Sequence, residues 1–74
     1  MTNDKVECRI MRETDAALLL RQEMPNREPV EAWVPRSLCA HISKRPKEGV
    51  EGVPATVTMA QWKAEQLNLH GVEA

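Results

Sequence analysis

The chain has 74 residues, about half a typical domain, so there is room for one core and not for two. Ten basic residues against eleven acidic ones leave a formal charge of −1, which excludes a strongly acidic decoy and a strongly basic nucleic-acid coat. At this size folding hides only ~60% of the surface that the unfolded chain exposes, so tight packing or a homodimer is the expected source of extra stability.

The apolar residues are mostly Val, Leu, Ala and Met, with Trp33 and Trp62 the only aromatics, so each Trp is expected to anchor a cluster. Cys8 and Cys39 lack CxxC spacing and follow no signal segment, which predicts reduced, half-buried thiols in a cytosolic protein. The longest apolar run, residues 16–20, falls far short of the roughly 20 residues that a membrane span needs, so no membrane partner is expected.

Val6, Cys8 and Ile10 alternate with Glu7, Arg9 and Met11, the period of a strand with one buried face. A polar turn at residues 12–15 leads into the leucine-rich segment 16–22, which predicts an antiparallel hairpin. A helix over residues 16–23 competes, but the run is short and stops at Met24-Pro25, where the proline disfavours helical backbone before it. Residues 29–35 are bracketed by prolines and alternate Val30, Ala32 and Val34 with Glu31 and Trp33, a third strand. Residues 38–42 fit either a short strand or a helical turn. Residues 44–52 read as a loop, since Pro46, Gly49 and Gly52 stand among charges. Val53, Ala55 and Val57 give a last strand, beginning beside Pro54 at an edge.

Thr58 followed by Gln61 matches a capping box, which predicts a helix from Met59 to about Leu69 with Gly71 ending it. These elements predict an α+β fold: a small antiparallel β-sheet or partly open barrel of about four to five short strands, closed by one C-terminal helix. They form a single domain over residues 1–74, with a flexible N-terminus at 1–4, the sheet over 5–57, the helix over 58–70 and a tail at 71–74.

No glycine-rich phosphate loop, nucleophile elbow or paired-histidine metal motif is present, and a domain this small has little volume for a substrate pocket. The chain is therefore expected to be no enzyme and to need no cofactor. Cys39 and His41 would share a face in a regular strand and could gather zinc with Cys8 or His70; a buried thiol beside a surface imidazole is the commoner arrangement and the one expected, with no metal site. Ser37 with His41 lacks an orienting acid nearby in sequence and is set aside as a nucleophile and base pair.

The sharpest charge feature is Arg36, His41, Lys44, Arg45 and Lys47, in a stretch without acids that carries +4, against −2 before it and −3 after it. It is either a solvated loop or a phosphate-contacting patch, with Trp33 as a stacking surface if exposed. Glu28, Glu31, Glu48 and Glu51 flank it, a mixture of signs that suits a protein surface. Trp33 lies opposite the Val30, Ala32 and Val34 face. It is either covered by the C-terminal helix, Trp62 meeting Trp33, or exposed as an interface anchor; the covered arrangement is the one expected.

Trp33-Val34-Pro35-Arg36-Ser37, preceded by Ala17-Leu18-Leu19-Leu20 and followed by Val57-Thr58-Met59-Ala60-Gln61-Trp62, resembles a family of short phage and prophage proteins. Those carry a Trp-x-Pro-Lys/Arg-Ser element after a β-hairpin, and a strand running into a helix with a Trp near its start. The resemblance spans residues 5–69 and departs in the insertion at 44–52. It implies a mobile-element protein in the cytoplasm of a bacterial host, similar to anti-CRISPR proteins that block a host machine by covering a functional surface. The expected partner is a host protein or ribonucleoprotein complex, met by Trp33, Arg36, Lys44, Arg45, Lys47, Glu48 and Glu51. The alternative is a nucleic-acid-binding accessory protein of phage replication or transcription, in which Lys44, Arg45 and Lys47 contact phosphate.

Overall fold

The computed structural model describes residues 2–44 and 52–73. Six antiparallel strands form one open sheet: β1 (Asn3–Glu13), β2 (Ala17–Met24), β3 (Arg27–Pro35), β4 (Cys39–Ile42), β5 (Val53–Ala60) and β6 (Val72–Glu73). The order is β3-β2-β1-β5-β4, and β6 pairs with β1. One short helix, α1 (Gln61–Gln66), follows β5. The mostly antiparallel sheet with a short C-terminal helix agrees with the sequence, although the described residues form six strands and not four or five.

Alternation along the strands sorts the side chains onto two faces. Val6, Cys8 and Ile10 of β1, Leu18 and Leu20 of β2, Val34 of β3 and Val57 and Met59 of β5 form one buried cluster, joined by Ala64 and Leu69 and flanked by Leu67. Register accounts for this: Val6 faces Val57, Ile10 faces Leu20 and Leu18 faces Val34 on the inner side of the sheet.

The sheet is strongly curled. Pro35 ends β3 and Cys39 begins β4, yet these strands stand at opposite ends of the strand order, joined only by a 3₁₀ turn at Arg36–Leu38. Four strand spacings in a flat sheet would span roughly 19 Å, whereas three 3₁₀ residues advance only about 6 Å. Bulges supply the bend, with register shifts between Ile10 and Arg12, Gln22 and Met24, and Cys39 and His41. Residues 38–42 thus combine the two readings that periodicity left open, a helical turn running into a strand.

Several boundaries differ from the sequence expectation. Asn3 and Asp4, expected in a flexible N-terminus, are part of β1, and Asp4 is buried. Thr58 and Met59 belong to β5, which pairs with β1 as far as Ala60, so the capping box does not form and α1 starts without a side-chain cap. The ladder extends past Thr58 because Met59 fills the core opposite Cys39 and Asp4. The N–H of Gln61 instead donates to Thr2 O at 3.0 Å.

The helix stops at Gln66, short of Leu69. Leu69 N donates to Ala64 O at 2.9 Å and Asn68 N to Glu65 O at 3.1 Å, with Asn68 at φ 60°, the pattern of a left-handed C-terminal cap. Asn68 thus does the work that sequence assigned to Gly71. Gly71 serves a close approach: a Cβ there would lie 2.7 Å from Asp4 Cβ. Residues 72–73, expected as part of a tail, form β6 against Asp4 and Lys5.

Where β2 leaves β1, the buried side chain of Gln22 takes over the pairing. Its Nε2 donates to Glu7 O at 3.0 Å and His70 O at 2.8 Å, and its Oε1 accepts from His70 N at 2.6 Å and Arg27 Nη2 at 2.7 Å. All four hydrogen-bonding positions of the amide are filled. Gln22→Leu would keep the volume and orphan these partners, so it is expected to cost about 2–4 kcal/mol in urea denaturation and to speed amide exchange at Val72 and Lys5. Unchanged stability and exchange would show that the junction is held some other way.

Candidate functional site

The outer face of the sheet is the candidate site. Cross-strand register lays out its rows: Trp33, Leu19 and Arg12 across β3, β2 and β1; Glu31, Arg21 and Arg9 next; then Glu7 with Thr56; then Lys5, Thr58 and His41, with Val72 beyond Lys5. The bulge at Met11 sets Arg12 on the same face as Arg9, which regular alternation would not do.

Trp33 is 47% exposed and Trp62 is 51% exposed. The expected packing of Trp62 on Trp33 does not occur: the residues that follow β5 join the core on the Val34 side, and Trp33 points the other way. Trp62 instead lies beside Lys63, whose Nζ is 5.8 Å from the ring centre.

Arg21 and Arg9 face each other across β1 and β2, a like-charge pair that would repel. Arg21 is held by Glu23 at 3.0 Å and Glu31 at 2.6 Å, and Arg9 Nη1 donates to Gly52 O at 2.9 Å. The hydrogen bonds that Arg21 donates to Glu23, then to Glu31, raise its pKa above the ordinary value.

Arg36 and Lys44, two of the residues singled out by charge in the sequence, lie at opposite ends of β4. Arg36 donates to Glu13 Oε2 at 2.5 Å, Thr14 O at 2.7 Å and Asp15 O at 3.2 Å, so its guanidinium clamps the β1–β2 turn. Lys44 is exposed just beyond β4, at the far end of the strand order from Trp33. Arg45, Lys47, Glu48 and Glu51 lie outside the described residues. The shared face proposed for Cys39 and His41 is absent, because the register shift between them turns Cys39 toward Met59 and His41 toward Thr58. Among the described residues no group of three or more His, Cys, Asp or Glu is arranged to hold a metal ion.

An open cleft of about 590 Å³ cuts the outer face where β2 diverges from β1. Lys5, Glu7, Thr56 and Thr58 line it together with both histidines, His41 and His70, and Met24 and Val72 add apolar surface. Sequence reasoning missed it. The available signal was Gln22, a polar residue at an inward position of the Leu18, Leu20 alternation, where the sheet splits.

Comparison with protein-family models, curated proteins and solved structures returns no match.

Beneath this face the two thiols are free, Cys8 buried and Cys39 partly so. Burial, and then the neighbouring Cys39, push the Cys8 thiol from 9.0 up to about 12. Burial also raises Cys39, against a lowering by Arg36. From about pH 9 to 12 the unfolded chain has lost the Cys8 proton that the folded chain keeps. Stability from this group is therefore complete below pH 9 and falls as pH rises, by about 1.4 kcal/mol per unit. Urea titrations at pH 8.5, 9.5 and 10.5 should show that slope in the native chain and a shallower one in Cys8→Ala; parallel slopes would count against the buried-thiol account.

Proposed function

We propose that the chain is a non-enzymatic protein-binding inhibitor or adaptor of a phage or other mobile element. It works in the cytoplasm of a bacterial host, as anti-CRISPR proteins do, by steric occlusion of a host effector complex. In this reading α1 closes the inner side of the sheet, and the outer side is left for the partner. The observation that carries it is the half-exposed Trp33 on an otherwise polar sheet face, in register with Leu19 and Arg12. Trp and Arg dominate the few residues that supply most of an interface's binding energy, and an apolar neighbour lets the ring be dried on contact.

The charges beside Trp33 support the same use. The Glu31, Arg21 and Glu23 group is already paired within the fold, so it offers a partner a fixed pattern of signs without first having to be ordered. Among the described residues no helix is long and apolar enough to cross a membrane. Lys44, Arg45, Lys47, Glu48 and Glu51 remain in the proposed contact surface as a second patch. Arg36 enters it through the turn that it holds in place.

A second reading, a nucleic-acid accessory protein, draws on one observation: Arg12 stands beside Trp33, and none of the ion pairs among the described residues includes it. A ring next to a free guanidinium is the pairing that stacks bases and meets phosphates.

Burying the rest of the Trp33 ring, on the order of 100 Å², is worth about 2–3 kcal/mol. Trp33→Ala is accordingly expected to weaken partner binding by about 30- to 150-fold with little change in melting temperature. The measurement is capture from nuclease-treated bacterial lysate by native and variant chains, read by mass spectrometry. An assembly held by the native chain and lost from the variant supports the inhibitor. Equal capture by both removes Trp33 as the anchor, and binding that disappears with the nuclease and falls steeply with salt supports the second reading.

A further inference from the structure

The cleft beside β6 adjoins the Trp33 surface through Glu23, which lines the cleft and is paired with Arg21. On the rest of this face Arg21 is paired with Glu23 and Glu31 and Arg9 donates to Gly52 O, while Arg12 is in no ion pair among the described residues. Inside the cleft Lys5 and Glu7 sit two residues apart on one strand, about 7 Å along its axis, both exposed and without an ion pair to each other or to another described residue. Thr58 stands between Lys5 and His41 in one row, and Thr56 lies beside Glu7 in the next.

From this geometry we infer that the cleft is a binding site for a small zwitterion of the α-amino-acid class with an aliphatic side chain. A pure anion would meet Lys5 and the Thr58 hydroxyl but would be repelled by Glu7, and a pure cation would meet Glu7 and be repelled by Lys5. A molecule carrying both charges satisfies both rows: its carboxylate takes the Lys5 ammonium, the Thr58 hydroxyl and the His41 ring, and its ammonium takes the Glu7 carboxylate and the Thr56 hydroxyl. Met24 and Val72 supply the apolar wall for the side chain, and His70 closes the end of the cleft. The volume, about 590 Å³, is in the range of small-molecule sites and leaves room for bridging water.

The Gln22 junction fixes the walls. It ties the end of β2 to the backbone of residue 70, so Met24 and Val72 are held on either side of Lys5 and Glu7 before a ligand arrives. The site that the described residues form is therefore preformed.

L-Leucine is the probe, with L-leucinamide, which lacks the carboxylate, and N-acetyl-L-leucine, which lacks the ammonium. Amide shifts of the full chain are followed by NMR to 20 mM ligand. The expected result is saturable shifts confined to Lys5, Glu7, Met24, His41, Thr56, Thr58 and residues 70–72, with each control at least tenfold weaker. Lys5→Gln is expected to lower leucine affinity about tenfold and leave leucinamide binding unchanged. Glu7→Gln should lower leucine affinity and leave N-acetyl-leucine unchanged. Both substitutions are at exposed positions, and a melting curve checks that each variant folds. The inference is overturned by the absence of saturable shifts, by either control binding as tightly as leucine, or by variants that bind as the native chain does.

Discussion

The fold depends on one side-chain amide. Gln22 offers a C=O and an N–H from a single planar group, and it uses both on His70, whose own N–H and C=O are bonded in return. In effect the side chain of β2 acts as a strand residue beside the segment leading to β6. Its remaining donor holds Glu7 O on β1, and its remaining lone pair takes Arg27, beyond the β2–β3 turn. A sheet that splits must leave backbone groups unpaired at the fork, and buried unpaired groups cost about 1–3 kcal/mol each. One amide with four filled positions removes that cost at the fork and fixes how far the two branches diverge. The outer cleft is the space that results.

Curling has a second consequence. A sheet of this size has enough apolar surface to cover one face, and the bulges turn that face inward around Val6, Ile10, Leu18, Leu20 and Val57. No described element lies over the other face. Its charges are consequently arranged within rows, Arg21 between Glu31 and Glu23, and Trp33 is left half exposed in a row with Leu19 and Arg12. A sheet face on which charges are fixed and one large apolar ring is half exposed is a different object from a run of charges read along the sequence.

That difference explains what the sequence did and did not disclose. Period-two patterning located β1, β3 and β5, because burial of one face imposes it directly, and the leucine-rich run after a polar turn located β2; Pro25 marked a turn, whereas Pro54, expected at an edge, stands opposite Arg9 in a strand that lies between β1 and β4. Patterning was silent at the bulges, where one extra residue reverses the facing of everything after it. Hence Arg12 joined the outer face and His41 parted from Cys39. The capping signal at Thr58 failed because a local hydrogen bond is weaker than the ladder and core contacts that keep Thr58 and Met59 in β5. Of the candidate site, Trp33 was legible as an outward residue; the cleft was not, since Lys5, Glu7, His41 and His70 are brought together by pairings between distant strands.

Arg36 shows why a run of like charges in sequence is poor evidence for a patch. It opens an acid-free stretch that ends in Lys44, Arg45 and Lys47, but its neighbours in space are Glu13 and the carbonyls of the β1–β2 turn, because β3 delivers it to that end of the sheet. The same folding that uses up Arg36 leaves Lys5 and Glu7 unpaired two residues apart, in a stretch whose sequence looks neutral. β6 is held by the Gln22 junction and packed beside Asp4, whose Oδ1 is buried with no hydrogen-bond partner among the described residues and whose Cβ and Oδ2 leave no room for a side chain at residue 71. A buried orphan oxygen costs free energy, and the Gln22 network at His70 offsets it, so the wall keeps the position that the fork gives it. The preformed wall thus stands beside charges that no ion pair among the described residues uses, while Trp33 lies on β3, at one end of the strand order.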